Sequence, residues 1–225
     1  AVSGSRWAAL LALAGLVAVP RAPAVLGLDH VPIAVEDLER AAERYRALGF
    51  SLKPGRPHAN GIRNQHVKVP DGTELELITA PRATDPLTTK YRRHLSAGDG
   101  PAFLALFAPD AMRVPARLDP PLDYVFFGPR NASPTDRPEH FAHANTGEAL
   151  VSVWLAAADL SRERALFARL GATITRRDVH VPGRVAADVA RFRQGEAILL
   201  GAAYQRVPGR RIIGATVRVR SLQSA

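Results

Sequence analysis

One phrase occurs twice in this chain, and it limits the fold more than any other feature. Residues 150–175, LVSVWLAAADLSRERALFARLGATIT, align with GLDHVPIAVEDLERAAERYRALGF at 27–50 at a constant offset of 122 positions. Asp37 matches Asp159, Leu38 matches Leu160, Tyr45 matches Phe167, Leu48 matches Leu170 and Gly49 matches Gly171. Five matches at one offset imply an internal duplication, so the chain is built from a repeated supersecondary unit.

The first copy spells out what that unit is. VLGLDHVPIAV at 25–35 is rich in β-branched residues and alternates, which predicts a strand. Glu36 and Asp37 then open a helix in which Leu38, Ala41, Ala42, Tyr45 and Leu48 recur at three- and four-residue spacing, and Gly49 stops it. Short strands are expected at 50–53, 62–69 and 73–79, the last two joined by a Pro-Asp-Gly turn. Residues 25–80 therefore read β-α-β-β-β. In the second module and C-terminal strand, 149–225, strands are expected at 185–193 and 197–204 around Gly195, and 212–222 reads as an edge strand. The intervening 81–148, rich in Pro, Asp and Arg, reads as an irregular connector holding a degenerate module, with strand-like pieces at 103–108 and 123–128.

Residues 1–24 stand apart. Arg6 precedes the thirteen-residue apolar run WAALLALAGLVAV, which PRAPA closes with a small-x-small pattern ending at Ala24. The run is too short for a stable membrane span and fits a signal peptide cleaved after Ala24. Export to a periplasmic or secreted location is expected if this leader is cleaved, and a cytoplasmic location otherwise. There is no cysteine, so disulfides, thiolate nucleophiles and Cys-based zinc sites are excluded. The formal charge of +9 comes from arginines scattered singly or in pairs, which argues against specific nucleic-acid binding.

Strand alternation separates two faces. Val31, Ile33 and Val35 suit the helix, as do Leu75 and Leu77. His30, Asn64, His66, Lys68, Glu74 and Glu76 then fall on the opposite face. A curved sheet with imidazole and carboxylate on its inner face is how a protein builds a divalent-metal or acid/base site without cysteine. His30 reads as a metal ligand, as a general acid or base, or as a cavity-lining relic. Glu76 reads as a buried ligand or as a solvated strand carboxylate, the latter favoured by Glu74 two residues earlier.

LDHVPIAVEDLERAAERYRALGF, followed by GRPHANGIRN and DGTELELI, resembles the vicinal oxygen chelate superfamily. Within it the likeness is to the glyoxalase-like domain of glyoxalase/bleomycin resistance/dioxygenase type. RPEHFAHANTGEALVSVWLAAADL resembles the His-Pro-Asn-Gly stretch before a later repeat in that group. The resemblance implies an α+β fold of paired β-α-β-β-β modules forming an incomplete barrel around a cavity. It implies a divalent metal (Fe, Mn, Zn or Ni) on His30 and Glu76, chelating vicinal oxygens of a small substrate. His66 reads as the candidate catalytic proton carrier or as a cavity-wall residue. His58 and Asn64 are candidate substrate contacts through the family segment, though Asn64 equally suits a turn-holding role. His143 and Asn145 read as substrate contacts or as loop-ordering residues, and Trp154 as the floor of a pocket or as barrel filling. A homodimer is expected by analogy.

Departures from the pattern leave two functions open. At the repeat offset Ser152 stands for His30, Leu199 or a neighbour stands for Glu76, Ile62 replaces the usual Thr and Ala144 the usual Pro. What remains is half a metal site, to be completed by His66, by His58 or His143, or by water and substrate. One reading is a metal-dependent lyase, isomerase or dioxygenase-like enzyme. The other is a metal-free protein of the same fold that binds or sequesters a small molecule.

Overall fold

Asp29 divides the first expected strand in two. In the computed structural model, which describes residues 23–181 and 183–223, β1 (Gly27–Leu28) and β2 (His30–Ala34) flank it and belong to different sheets. All but the last two residues of the expected leader, 1–24, lie outside the described residues. α1 (Leu38–Ala47) starts where Asp37 accepts a hydrogen bond from the Arg40 amide, which satisfies one of the orphan donors of the first turn. Its Leu38, Ala41 and Ala42 are buried against Val35 and Leu77. β3 (Lys53–Pro54), β4 (Arg63–Lys68) and β5 (Glu74–Thr79) follow.

The connector is more ordered than its composition suggests. It holds α2 (Pro86–Leu95), β6 (Gly100–Pro101), β7 (Leu104–Phe107) and β8 (Val125–Gly128). α2 begins with a reciprocal capping box, the Asp85 carboxylate taking the Thr88 amide while the Thr88 hydroxyl takes the Asp85 amide. β7 and β8 run parallel, as the first and last strands of a β-α-β-β-β unit do, but a single turn at 111–113 is the only helix between them. These two strands join β1 in a three-stranded sheet ordered β1-β7-β8.

The second full copy comprises β9 (Gly147–Ala156), α3 (Ser161–Arg169), β10 (Thr173–His180), β11 (Arg184–Arg191), β12 (Glu196–Leu200) and an edge strand β13 (Ile212–Val219). Its sheet order, β10-β11-β12-β9-β13, reproduces β3-β4-β5-β2-β6 element for element. The duplication extends to single hydrogen bonds. Gly49 and Gly171 both have positive φ, and the Phe50 amide reaches Tyr45 O as the Ala172 amide reaches Phe167 O.

Register fixes the equivalences that matter for chemistry. His30 lies opposite Glu74 in the first sheet and Ser152 opposite Glu196 in the second, both shifted by 122. The counterpart of Glu76 is therefore Ile198, one residue before the Leu199 expected from the alignment. The three sheets stay open, none closing into a barrel. One core joins them: Leu28, Leu104, Leu106, Leu155, Leu166 and Phe167 are all fully buried in it. β1 sits so close to the β11–β12 turn that a Cβ on Gly27 would lie 2.0 Å from Gln194 O, so only glycine fits there. Among the described residues no helix is long and apolar enough to cross a membrane.

Candidate functional site

The pleat sends Ile33 and Leu77 toward α1 and leaves a polar set on the other face of the first sheet. His30 Nδ1 donates to Asp29 Oδ2 at 2.7 Å, and its Nε2 lies 3.6 Å from Glu76 Oε2. Glu76 Oε1 accepts from Asn64 Nδ2 at 2.6 Å. These contacts form a chain, Asp29 to His30 to Glu76 to Asn64, in which only the His30–Glu76 step is too long for a hydrogen bond. Asn64 Oδ1 is buried without a partner.

A second chain runs beside it. His66 Nδ1 donates to Glu74 Oε1 at 3.0 Å, and Asn131 Nδ2 donates to the same oxygen at 2.9 Å. Lys68 Nζ lies 3.4 Å from Glu74 Oε2 and 3.2 Å from Asp136 Oδ2, while Lys53 pairs with Asp136 on its other oxygen. Glu74 is 2% exposed and at the centre of this network. The neighbouring carboxylate that favoured a solvated reading of Glu76 is thus itself buried, because the segment 129–137 covers it.

Charge follows from this crowding. Burial works against a charged His30, but the Asp29 hydrogen bond and the charges of Glu76 and Glu74 outweigh it and hold its pKa above 6.5. For Glu74 burial again opposes charge, and the hydrogen bond and charge of His66, with His30 and Asn131, bring its pKa below the ordinary 4.5. Both sites favour the ionised form.

Side chains from β8 and the segment after it pack against this face. Phe126 meets the His30 ring edge-on at 5.4 Å between centroids, backed by Phe103 at 6.4 Å. Arg130 donates to Leu28 O at 2.7 Å and lies 3.4 Å from Asp29 Oδ1, which pins the carboxylate that holds His30. Asp29, Phe126, Arg130, Asn131 and Asp136 were missed in the sequence. Only Asp29, beside His30 at a strand break, carried a local signal.

The remaining expected site residues lie elsewhere. His58 sits in the β3–β4 turn, its amide bonded to Ile62 O and its Nε2 buried without a partner. Among the described residues no hydrogen bond ties it to His30 or Glu76. His143 accepts from the Ser51 amide on Nδ1 and donates from Nε2 to Lys68 O, so both nitrogens are engaged by backbone. Burial keeps it neutral by lowering its pKa. Asn145 donates to Leu48 O and accepts from the Gly147 amide. Both ring nitrogens of His143, and one donor and one acceptor of Asn145, are thus committed to backbone groups around the loop. Trp154 belongs to the other sheet, where its Nε1 shares Ser152 Oγ at 3.2 Å and Thr216 Oγ1 at 3.1 Å.

Among the described residues no three His, Asp or Glu side chains converge on a metal centre. The donor chemistry of His30 and Glu76 nonetheless fits two positions of one. Metal–nitrogen and metal–oxygen bonds of about 2.0–2.2 Å put neighbouring donors roughly 3.0–3.6 Å apart, and the pair stands at 3.6 Å. A ring held through Nδ1 by a carboxylate, with Nε2 left open, is the usual arrangement of a metal-ligating histidine. The second module offers no matching pair, since Ser152 and Ile198 occupy the equivalent positions.

Three clefts lie away from this cup, and none is lined by His30 or Glu76. The largest, about 930 Å³, is bounded by His94, Tyr124, Arg162, Glu163 and Arg211. Burial, with the charge of Arg210, drives His94 from 6.5 down to about 4. Between those values the unfolded chain binds a proton that the folded chain does not, so stability falls as pH drops through that window. His143 adds to the loss with the same sign. His94→Gln is expected to bring the thermal midpoints at pH 7 and pH 5 closer together than in the parent chain, and an unchanged gap would exclude His94 as a source.

Comparison with known proteins places the chain by fold. Residues 28–198 match the family model described as glyoxalase-like domain. No curated protein matches the sequence significantly. A triple mutant of 4-hydroxymandelate synthase from Streptomyces coelicolor aligns with TM-score 0.56 at 17% identity, over 84% of this chain and 65% of that one. A hypothetical protein from Staphylococcus aureus aligns with TM-score 0.56 at 12% identity, over 77% and 85%. A fusion of a xylose isomerase-like TIM barrel with 4-hydroxyphenylpyruvate dioxygenase aligns with TM-score 0.55 at 14% identity, over 88% of this chain and 36% of the fusion. The chain thus spans less than two thirds of the synthase and about a third of the fusion, and the likeness is one of fold.

Proposed function

We propose, from the premise that the chain belongs to the glyoxalase-like domain family of the vicinal oxygen chelate superfamily, that its first module is the active site of a lyase, isomerase or dioxygenase-type enzyme. Its substrate is a small molecule with adjacent oxygens. The observation that carries this reading is the His30–Glu76 pair: each member is fixed by its own partner, and the two face each other 3.6 Å apart with no hydrogen bond between them.

Each side chain has a task. Asp29 sets the His30 ring so that Nε2 faces the cup, and Asn64 holds one Glu76 oxygen so that the other faces His30. His30 and Glu76 would hold a divalent cation of the Fe, Mn, Zn or Ni kind, which when bound supplies Lewis-acid stabilisation of an enolate or oxyanion. His66, directly across from Glu76 in the sheet, is the side chain that takes or gives a proton. Phe126 and Phe103 supply an apolar wall beside the His30 ring.

Metal analysis tests this directly. The chain purified without chelator is expected to carry near-stoichiometric metal by plasma mass spectrometry, falling to background in His30→Ala and in Glu76→Ala. A parent chain that carries none and takes up no added Mn, Fe, Zn or Ni would overturn the metal enzyme. A metal-free binding cup is the second reading, favoured by Ser152 and Ile198 where a symmetric site would repeat the ligand pair.

A further inference from the structure

The second module has kept the cup and changed its chemistry. At the positions of His30, His66 and Glu76 it carries Ser152, Val189 and Ile198, while Glu74 survives as Glu196. Lys68, across from Glu74, becomes Arg191 across from Glu196. We propose that this inner face binds a small organic anion, its carboxylate or phosphate group resting on Arg177 and Arg191. The site is independent of the His30–Glu76 reading.

Three observations support the assignment. First, there is a cleft of about 490 Å³ over this face, the size of a small-ligand site. Second, its polar end has a surplus of positive charge. Arg177 Nη2 donates to Glu196 Oε1 at 2.5 Å and Arg191 Nη2 to Glu196 Oε2 at 3.1 Å, so one carboxylate holds two guanidiniums side by side. Arg193 stands exposed beside them in the same lining, and the other carboxylate there, Asp178, is already countered by Arg184 at 2.7 Å. Guanidinium forks match the planar oxygens of carboxylates and phosphates, which makes them the preferred receptors for both.

Third, the cleft contains donors with nothing to donate to. Arg177 Nε is buried with no hydrogen-bond partner, so this guanidinium keeps a donor that Glu196 does not use. Ser152 Oγ donates to Thr216 Oγ1 at 2.8 Å, and Trp154 Nε1 also donates to Thr216 Oγ1. Thr216 accepts twice, so its own hydroxyl proton is left for a ligand. At the other end Val179 and Ile198 pack into an apolar cluster, which suits an anion with a hydrocarbon body.

The test is titration of the full chain at low salt with inorganic phosphate and, separately, with hexanoate, followed by calorimetry. Saturable binding of either probe is expected, weakened at least about tenfold in Arg177→Gln, where a charge-assisted fork is lost. Arg169→Gln, which removes one exposed positive charge at the end of α3 and outside the cleft lining, should change it less than about twofold, and His30→Ala should leave it as it was. Response to phosphate alone assigns the site to phosphate esters, and response to hexanoate alone to carboxylates. Arg177→Lys keeps the charge without the fork, and its intermediate loss decides the matter if the glutamine variant fails to fold. No saturation by either probe up to about 10 mM, or equal losses in the Arg177 and Arg169 variants, would overturn the proposal.

Discussion

Glu74→Ala is expected to destabilise the fold by about 3–5 kcal/mol, whereas Glu196→Ala, its counterpart in the repeat, should cost less than about 1 kcal/mol. The two glutamates occupy the same register position and both face a cation across the sheet. Their surroundings differ. The Glu74 side chain is 2% exposed and its Lys68 partner 6%, so removing the carboxylate leaves a ring N–H of His66 and an Asn131 amide without their acceptor and takes from the buried Lys68 ammonium one of its two carboxylate partners. The guanidiniums on Glu196 are 38% and 63% exposed and recover water when it goes. Urea unfolding of both variants at neutral pH measures the difference. Similar costs would mean that Glu74 is not the centre of the first cup.

The same contrast explains what was legible in the sequence. Strand alternation is a geometric property of the backbone, so the grouping of His30, His66 and Glu76 on one face needed no tertiary information. Burial did need it. Glu74 shares that face, but whether it is solvated depends on Asn131 and Asp136, which lie more than fifty residues downstream in the covering segment 129–137. α1 announced itself through five apolar positions at helical spacing, while α2 buries only Thr88, Tyr91 and Leu95. Its clearest sign was the capping pair Asp85 and Thr88, hidden in a stretch that Pro86 made look like a loop. Likewise the repeat offset was readable from α1 and α3, but the counterpart of Glu76 became certain only when the parallel pairing of β9 with β12 placed Ile198 beside Trp154. His58, His143 and Asn145 were drawn from a family segment, and two of these three turned out to be engaged with backbone.

Phe167→Ala should lower stability by about 3–5 kcal/mol, and Tyr45→Ala by about 1–2 kcal/mol, although the two residues match in the duplication. Phe167 is fully buried, stacked edge-on against Phe192 at 5.7 Å, in the cluster that joins all three sheets. Tyr45 lies half-buried at the margin of that cluster, tilted against Phe50 at 6.0 Å. The asymmetry follows from what each copy does with its inner face. In the first, that face carries His30, Glu74 and Glu76, whose buried charges must be held by Arg130, Lys68 and Asp136 and add little net stability. In the second, Trp154, Ile198, Val189 and Leu200 fill much of the equivalent surface with hydrocarbon. The apolar part of that face adds to the core, so stability concentrates in the second module while the reactive groups of the first proposal stay in the other. Urea unfolding of both variants, with metal content measured on the folded material, tests this division. Comparable losses for Tyr45→Ala and Phe167→Ala would show that the two modules share the stabilising role equally.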